Sequence, residues 1–179
     1  AFDVARNPFG SFQSNQNYNH SLSDQAWGYR EYNGPEFHRG QDFGTRGIKA
    51  PLYSAWYGTV VSKVDNMGAR GTTIIIKLDP ALYGEGRYIV MQHMDAAYVN
   101  ENDTVSPSTF VGRTGGTGGE YAIHLHLEVL LDYAPNGAEI SSGLTDTPLK
   151  TSGDLDGYYA IDPFGTFAVD SAGRPIVRS

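Results

Sequence analysis

Tyr121-Ala122-Ile123-His124-Leu125-His126-Leu127-Glu128-Val129 is the stretch on which the fold turns. Ile, Leu and Val favour a pleated, half-buried strand, and alternate side chains of a strand share a face. The spacing therefore predicts a strand with His124, His126 and Glu128 on one face and Ile123, Leu125, Leu127 and Val129 on the other. The second face is a core face, and the first carries two imidazoles side by side. Two neutral imidazoles gain little by proximity, whereas a metal ion or a proton transfer gives both a reason to be there. A pair of solvated strand histidines is the plainer alternative.

The composition agrees with a mainly β, antiparallel single domain. Its 179 residues suffice for one domain with a sizeable core. Gly 22 and Pro 9, with few long helical patterns, predict many turns between short strands. Cys 0 leaves neither a disulfide framework nor a thiolate zinc site. The formal net charge of −7 disfavours nucleic acid as a partner, since non-specific binding needs a basic surface. No apolar run approaches the roughly 18 residues of a membrane span, so membrane insertion is not expected. Ala1 in place of Met suggests a processed or excised fragment.

In chain order, residues 1–25 are rich in Asn, Gln and Ser and read as an irregular arm, partly ordered by Phe2, Phe9 and Phe12. His20 in this arm reads as solvated. Gly40, Gly44, Gly47 and Pro51 argue against a helix around His38-Arg39-Gly40-Gln41-Asp42, so an extended or turning segment places His38 and Asp42 on one side. Strands are expected before and after Gly58 within 52–64, over Thr72–Leu78 with both faces buried, over Arg87–Met94 ending at His93, and around Phe110-Val111-Gly112. Asp65-Asn66-Met67-Gly68 reads as a turn, and Asp79 to Gly86 as a loop. Gly115-Gly116-Thr117-Gly118-Gly119 lacks the Lys-Ser or Lys-Thr of a phosphate loop and reads as a mobile rim. Asp154-Leu155-Asp156-Gly157 has glycine at the wrong offset for a calcium loop and reads as a solvated turn.

Four of the five histidines thus fall in three segments, His38 with Asp42, His93, and His124 with His126. A catalytic zinc ion wants three protein ligands and an open position. His38, Asp42 and one of the pair His124/His126 would supply three. Two histidines remain, and hydrolysis has work for both in activating water and stabilising an oxyanion.

His38-x-x-x-Asp42, His93 and His124-x-His126 together resemble the M23 family of zinc metallopeptidases, of lysostaphin and LytM type. Trp27-Gly28-Tyr29-Arg30, Phe37-His38-Arg39-Gly40-Gln41-Asp42-Phe43, Ala50-Pro51-Leu52-Tyr53-Ser54-Ala55, Gly58-Thr59-Val60-Val61, His124-Leu125-His126-Leu127-Glu128-Val129 and Ile161-Asp162-Pro163 also resemble its pattern. The resemblance implies a LytM-like β domain with long groove-flanking loops over 26–164, preceded by the arm 1–25 and followed by a C-terminal extension, 165–179. It implies one zinc ion per chain held by His38, Asp42 and His126, with His93 and His124 as the catalytic pair. His124 would be the base on the zinc water and His93 would steady the oxyanion, a division the family leaves open.

The implied activity is endopeptidic cleavage of bacterial peptidoglycan, in a cross-bridge or a stem peptide, at an extracellular, cell-envelope or virion-associated location. The acidic charge suits delivery by a larger polypeptide or phage particle better than a free lysin that must find an anionic wall. Two departures from the family pattern border the groove: Met91 where an aromatic residue is usual, and Glu120-Tyr121-Ala122-Ile123 before His124. They bear on substrate preference rather than on the chemistry. The glycine-rich segment 115–119 and the loop 79–87, each adjoining a histidine-bearing strand, are expected to flank the groove and set specificity. The alternative is a non-catalytic peptidoglycan-binding or regulatory module of the same fold, which typically lacks one or more ligands; none is missing here. A purely structural zinc protein leaves two histidines without a purpose.

Overall fold

The computed structural model describes residues 8–12, 28–31, 35–133, 158–161 and 163, with 28–31, 35–37 and 161 taken as backbone. The expected strand is present as β11, His124–Leu131, and it is the hub of a seven-stranded antiparallel sheet. The others are β3 (Gln41–Gly44), β5 (Gly58–Val64), β6 (Thr72–Leu78), β7 (Arg87–Met94), β9 (Thr104–Val105) and β12 (Tyr159–Ile161). They run in the order β12-β11-β7-β6-β5-β9, and β3 pairs with β11 beside β12. β4 (Pro51–Tyr53), β10 (Phe110–Arg113) and β8 (Ala96–Ala97) form a small sheet, and β1 (Gly28–Glu31) pairs with β2 (Pro35–His38). The fold is mainly antiparallel β, as the sequence predicts.

Alternation divides the large sheet into two buried faces. Leu125, Leu127, Val129, Ile74, Ile76, Ile89 and Met91 pack on one side against Leu52, Trp56 and Val111 in the main core. Ile75, Val90, Leu130 and Ala160 form a smaller cluster on the other. β6 is buried on both faces, as its unbroken apolar run requires. Along the second face the side chains turn polar toward one end, where Thr73, Gln92, Glu128 and His126 are all buried. That end carries the candidate site.

Four local expectations are corrected. Met91, expected to border the groove, is fully buried in the main core with Ile74 and Leu125, on the face of the sheet opposite His126. β11 starts at His124, so Tyr121, Ala122 and Ile123 precede the strand instead of opening it. The segment 79–86 contains a one-turn helix, α1 (Pro80–Tyr83), begun by Pro80 and capped by Asp79, whose carboxylate accepts from the Ala81 N–H at 3.0 Å. It leads into Arg87, which pairs with Leu131 at the far end of β7 and β11 from His93 and His124, so it does not flank the site. The glycine-dense segment 115–119 is pinned: Thr117 Oγ1 accepts from Thr72 N at 3.0 Å and donates to Met94 O at 2.7 Å. Gly115 also bridges to His124.

Within the N-terminal arm, Phe9 is fully buried, with its ring 5.7 Å from that of Phe43. His20, the turn at 154–157, Asp162, Phe164 and the extension 165–179 lie outside the described residues.

Candidate metal centre

Strand register assembles the site. His126 is paired with Asp42 of β3 on one side and Gln92 of β7 on the other. Register partners put their side chains on one face, so Asp42, His126 and Gln92 stand in a row. Leu125 and Leu127 face the core with Phe43, which fixes that row on the opposite side. His38 ends β2 and returns to Asp42 through the turn Arg39-Gly40.

His93 reaches the same face by a different route. β7 carries one extra residue opposite Thr73, because Thr72 pairs with Met94 while Ile74 pairs with Met91. Simple alternation would send His93 into the core with Met91. The bulge re-aims it, with φ at 60°, in the left-handed region that is uncommon for residues other than glycine. Its ring centroid then lies 5.0 Å from His124, 5.8 Å from His126 and 4.4 Å from Tyr121.

The distances define a compact cluster. Asp42 Oδ2 lies 3.3 Å from His38 Nε2, and Asp42 Oδ1 lies 2.7 Å from His126 Nδ1 and 3.6 Å from His124 Nε2. His126 Nε2 donates to Glu128 Oε2 at 3.1 Å. Glu128 is buried and also accepts from Gln92 Nε2 at 2.7 Å and Arg70 Nη1 at 3.2 Å, with Arg39 Nε 3.5 Å from its other oxygen. A carbonyl can only accept, so His93 donates from Nδ1 to Thr117 O at 2.9 Å and His124 from Nδ1 to Ala122 O at 2.7 Å.

These contacts set the charges. Burial opposes ionisation of Asp42, but His126, then the hydrogen bonds from His126 and His38, hold its carboxyl well below the usual range. Burial alone would lower His126; the Asp42 charge and hydrogen bond, then Glu128, outweigh it and raise His126 to about 9. Burial acts first on His93 and the neighbouring His126 second, lowering it to about 4. His93 is therefore neutral at pH 7, with its proton on Nδ1 and a lone pair on Nε2.

His38, Asp42 and His126 each bring a possible ligand atom within 4.8 Å of the others. The set suits zinc, which takes imidazole nitrogen and carboxylate oxygen. Donors about 3.4 Å apart fit a tetrahedron with bonds of about 2.1 Å, and the His38–Asp42 separation of 3.3 Å already does. The 2.7 Å between Asp42 and His126 is a hydrogen-bond spacing, whose proton must leave before Nδ1 can be a ligand. His93 and His124 stand beside this trio, so all five residues singled out from the sequence converge.

The sequence reading missed the support beneath them. Glu128 and Gln92 were accessible through alternation, since they share the faces of His126 and of the row. Arg70 and Thr117 come from turns with no periodic signal, and only the fold brings them in.

An antiparallel β domain thus brings a candidate His–Asp–His metal site and two further histidines together at one end of its sheet. Residues 36–140 match the family described as Peptidase family M23, and the chain belongs to that family. Among solved structures, the catalytic domain of the antimicrobial peptidase lysostaphin from Staphylococcus simulans superposes with a TM-score of 0.56 at 21% identity, over 81% of this chain and 90% of that one. A zinc-containing peptidase from Vibrio cholerae gives 0.55 at 24%, over 73% of this chain and 37% of that one. Lysostaphin in solution gives 0.54 at 22%, over 83% and 50%. The likeness is one of fold, and the chain spans about a third to a half of the two longer relatives. No curated protein matches it.

Proposed function

We propose that the chain is a zinc-dependent endopeptidase that hydrolyses peptide bonds of bacterial peptidoglycan, in a cross-bridge or a stem peptide, with one zinc per chain held by His38, Asp42 and His126. The observation that carries this reading is the presence of two further imidazoles, His93 and His124, within 5.0 Å of each other beside an intact ligand trio. A binding module has no use for them. When bound, zinc polarises the scissile carbonyl and lowers the pKa of water at the open position.

The chain's own residues then manage the proton. Thr117 O and Ala122 O hold the Nδ1 protons of His93 and His124, so both rings present Nε2. The division suggested by the family resemblance, with His93 steadying the oxyanion, asks His93 for an Nε2 proton that the resting neutral ring lacks. Its geometry supports His93 as the acceptor of the water proton. His124, with Nε2 3.6 Å from Asp42 Oδ1, is left to serve the oxyanion or the leaving amine.

The segments 115–121 and 65–71 pack directly against each other beside the histidines, with Tyr121 Oη donating to Ala69 O at 3.3 Å and no room for a Cβ between Gly71 and Thr117. We take the pair as one wall of the peptide groove. We take 26–164 as the catalytic unit, working outside the cytoplasm in the envelope, in secretion or on a virion, as part of a larger polypeptide or particle. Purified peptidoglycan incubated with zinc-loaded protein tests the reading. Soluble peptide-bearing fragments are expected, chelation should abolish them and added zinc should restore them. No release at full zinc occupancy from walls of several cross-bridge types would favour the non-catalytic alternative.

A further inference from the structure

We infer that Glu128 is the positioning residue of the metal site: it holds the Nε2 proton of His126 and so commits Nδ1 to the metal. The inference rests on the proposed ligand set and extends it to the residues that orient it.

His126 could in principle ligate through either ring nitrogen, and the structure closes one of them. Nε2 lies 3.1 Å from Glu128 Oε2, on the side of the ring away from Asp42. The turn that joins His38 to Asp42 passes over the same spot. A Cβ on Gly40 would stand 2.9 Å from His126 Nε2 and 3.0 Å from Glu128 Cγ, and would also meet Leu127 O. Backbone without a side chain is what fits there, and Nε2 is sealed between the turn and the carboxylate. Nδ1 faces Asp42.

Glu128 is itself held from three directions. Gln92 Nε2 donates to it at 2.7 Å, Arg70 Nη1 at 3.2 Å, and Arg39 Nε stands 3.5 Å from its second oxygen. Its side chain is 2% exposed. A buried carboxylate is costly unless paired, and here two guanidinium groups and an imidazole N–H share it. Partners of this kind fix the tautomer and ring orientation of a metal-bound histidine, and their loss typically weakens metal binding about 10–100-fold. Arg70 belongs to the segment 65–71, so the pairing also joins that wall of the groove to the ligand.

The experiment measures zinc affinity by competition with a chromophoric chelator for the wild type, Glu128→Gln and Glu128→Ala. It is joined by long-range 1H–15N spectra of the histidines in zinc-loaded wild type. The expected result is about 10–100-fold weaker binding in Glu128→Ala, with a smaller loss in Glu128→Gln, whose amide oxygen still accepts from Nε2. The spectra should show His126 ligated at Nδ1 with a slowly exchanging proton on Nε2. If Glu128→Ala leaves Arg39 and Arg70 too poorly compensated to fold, the isosteric glutamine variant and the wild-type spectra decide. Ligation through Nε2, or wild-type affinity in the folded variants, overturns the inference and leaves the proposed function standing. A wild type that binds no zinc overturns both. One that binds zinc through Nδ1 but cleaves no wall overturns only the proposed activity.

Discussion

Asp42 and His126 face each other twice, as register partners across β3 and β11 and through a 2.7 Å contact between Oδ1 and Nδ1. The pair is thus placed by the same pleat that sends Phe43, Leu125 and Leu127 into the core. A one-residue slip of β3 would bury Asp42 in the apolar face and expose Phe43. Core packing and ligand placement are one constraint.

Equal positions on one strand face should nonetheless give unequal variants. His126→Ala removes a proposed ligand and leaves two, so zinc binding and hydrolysis should both be lost. His124→Ala keeps the trio, so zinc should stay at one per chain while the rate falls by about 10²–10⁴-fold, as for a lost acid–base group. Zinc stoichiometry measured beside the hydrolysis rate checks both. Zinc lost from the His124 variant and retained by the His126 variant would reverse the two roles.

The metal-free protein should show two pH limits. His126 is raised from 6.5 to about 9, so its contribution is fully present below about 6.5 and lost as pH rises through 9. Burial acts to raise Glu128, but His126, Arg39 and Arg70 bring it from 4.5 to about 2, so its contribution is present above 4.5 and lost as pH falls through 2. Thermal stability of metal-free protein should weaken as pH rises from 6.5 to 9. It should also weaken as pH falls below 6.5, first because His93 resists protonation down to about 4 and then, below 4.5, through Glu128. Zinc-loaded protein should lack the alkaline decline, because ligation has already removed the Nδ1 proton. A flat alkaline profile without metal would contradict the ion pairing.

The bulge at His93 gives a stability signature. In a strand, glycine is ordinarily less stable than alanine by about 0.5–1 kcal/mol. At the φ of 60° held by His93 the order should reverse, with His93→Gly more stable than His93→Ala by about 1 kcal/mol. Urea unfolding of the two variants decides; greater stability of the alanine variant would mean that the backbone relaxes out of the bulge. Both should bind zinc and lose most activity.

Much of this was legible because it follows from period two. His124, His126 and Glu128 share a face by alternation alone, and the apolar run of Ile74-Ile75-Ile76 announces a strand buried on both sides. His93 was found by residue type, but its placement was hidden, since alternation points it into the core and only a bulge turns it out. The far-end position of 79–86 was hidden too. That segment adjoins a histidine-bearing strand in sequence, yet an antiparallel strand of eight residues carries its two ends well apart. Thr117 and Arg70 act from turns, where no pattern marks which side chain returns to the site.

The most direct measurement is digestion of purified peptidoglycan in water enriched in 18O, followed by mass spectrometry of the released peptides. Zinc-loaded protein should produce matched new amino and carboxyl termini, each new carboxylate carrying one 18O, and neither should appear with His93→Ala or after chelation. Peptides that stay intact at full zinc occupancy, or fragments whose new ends lie in the glycan, would contradict a zinc endopeptidase of the cell wall.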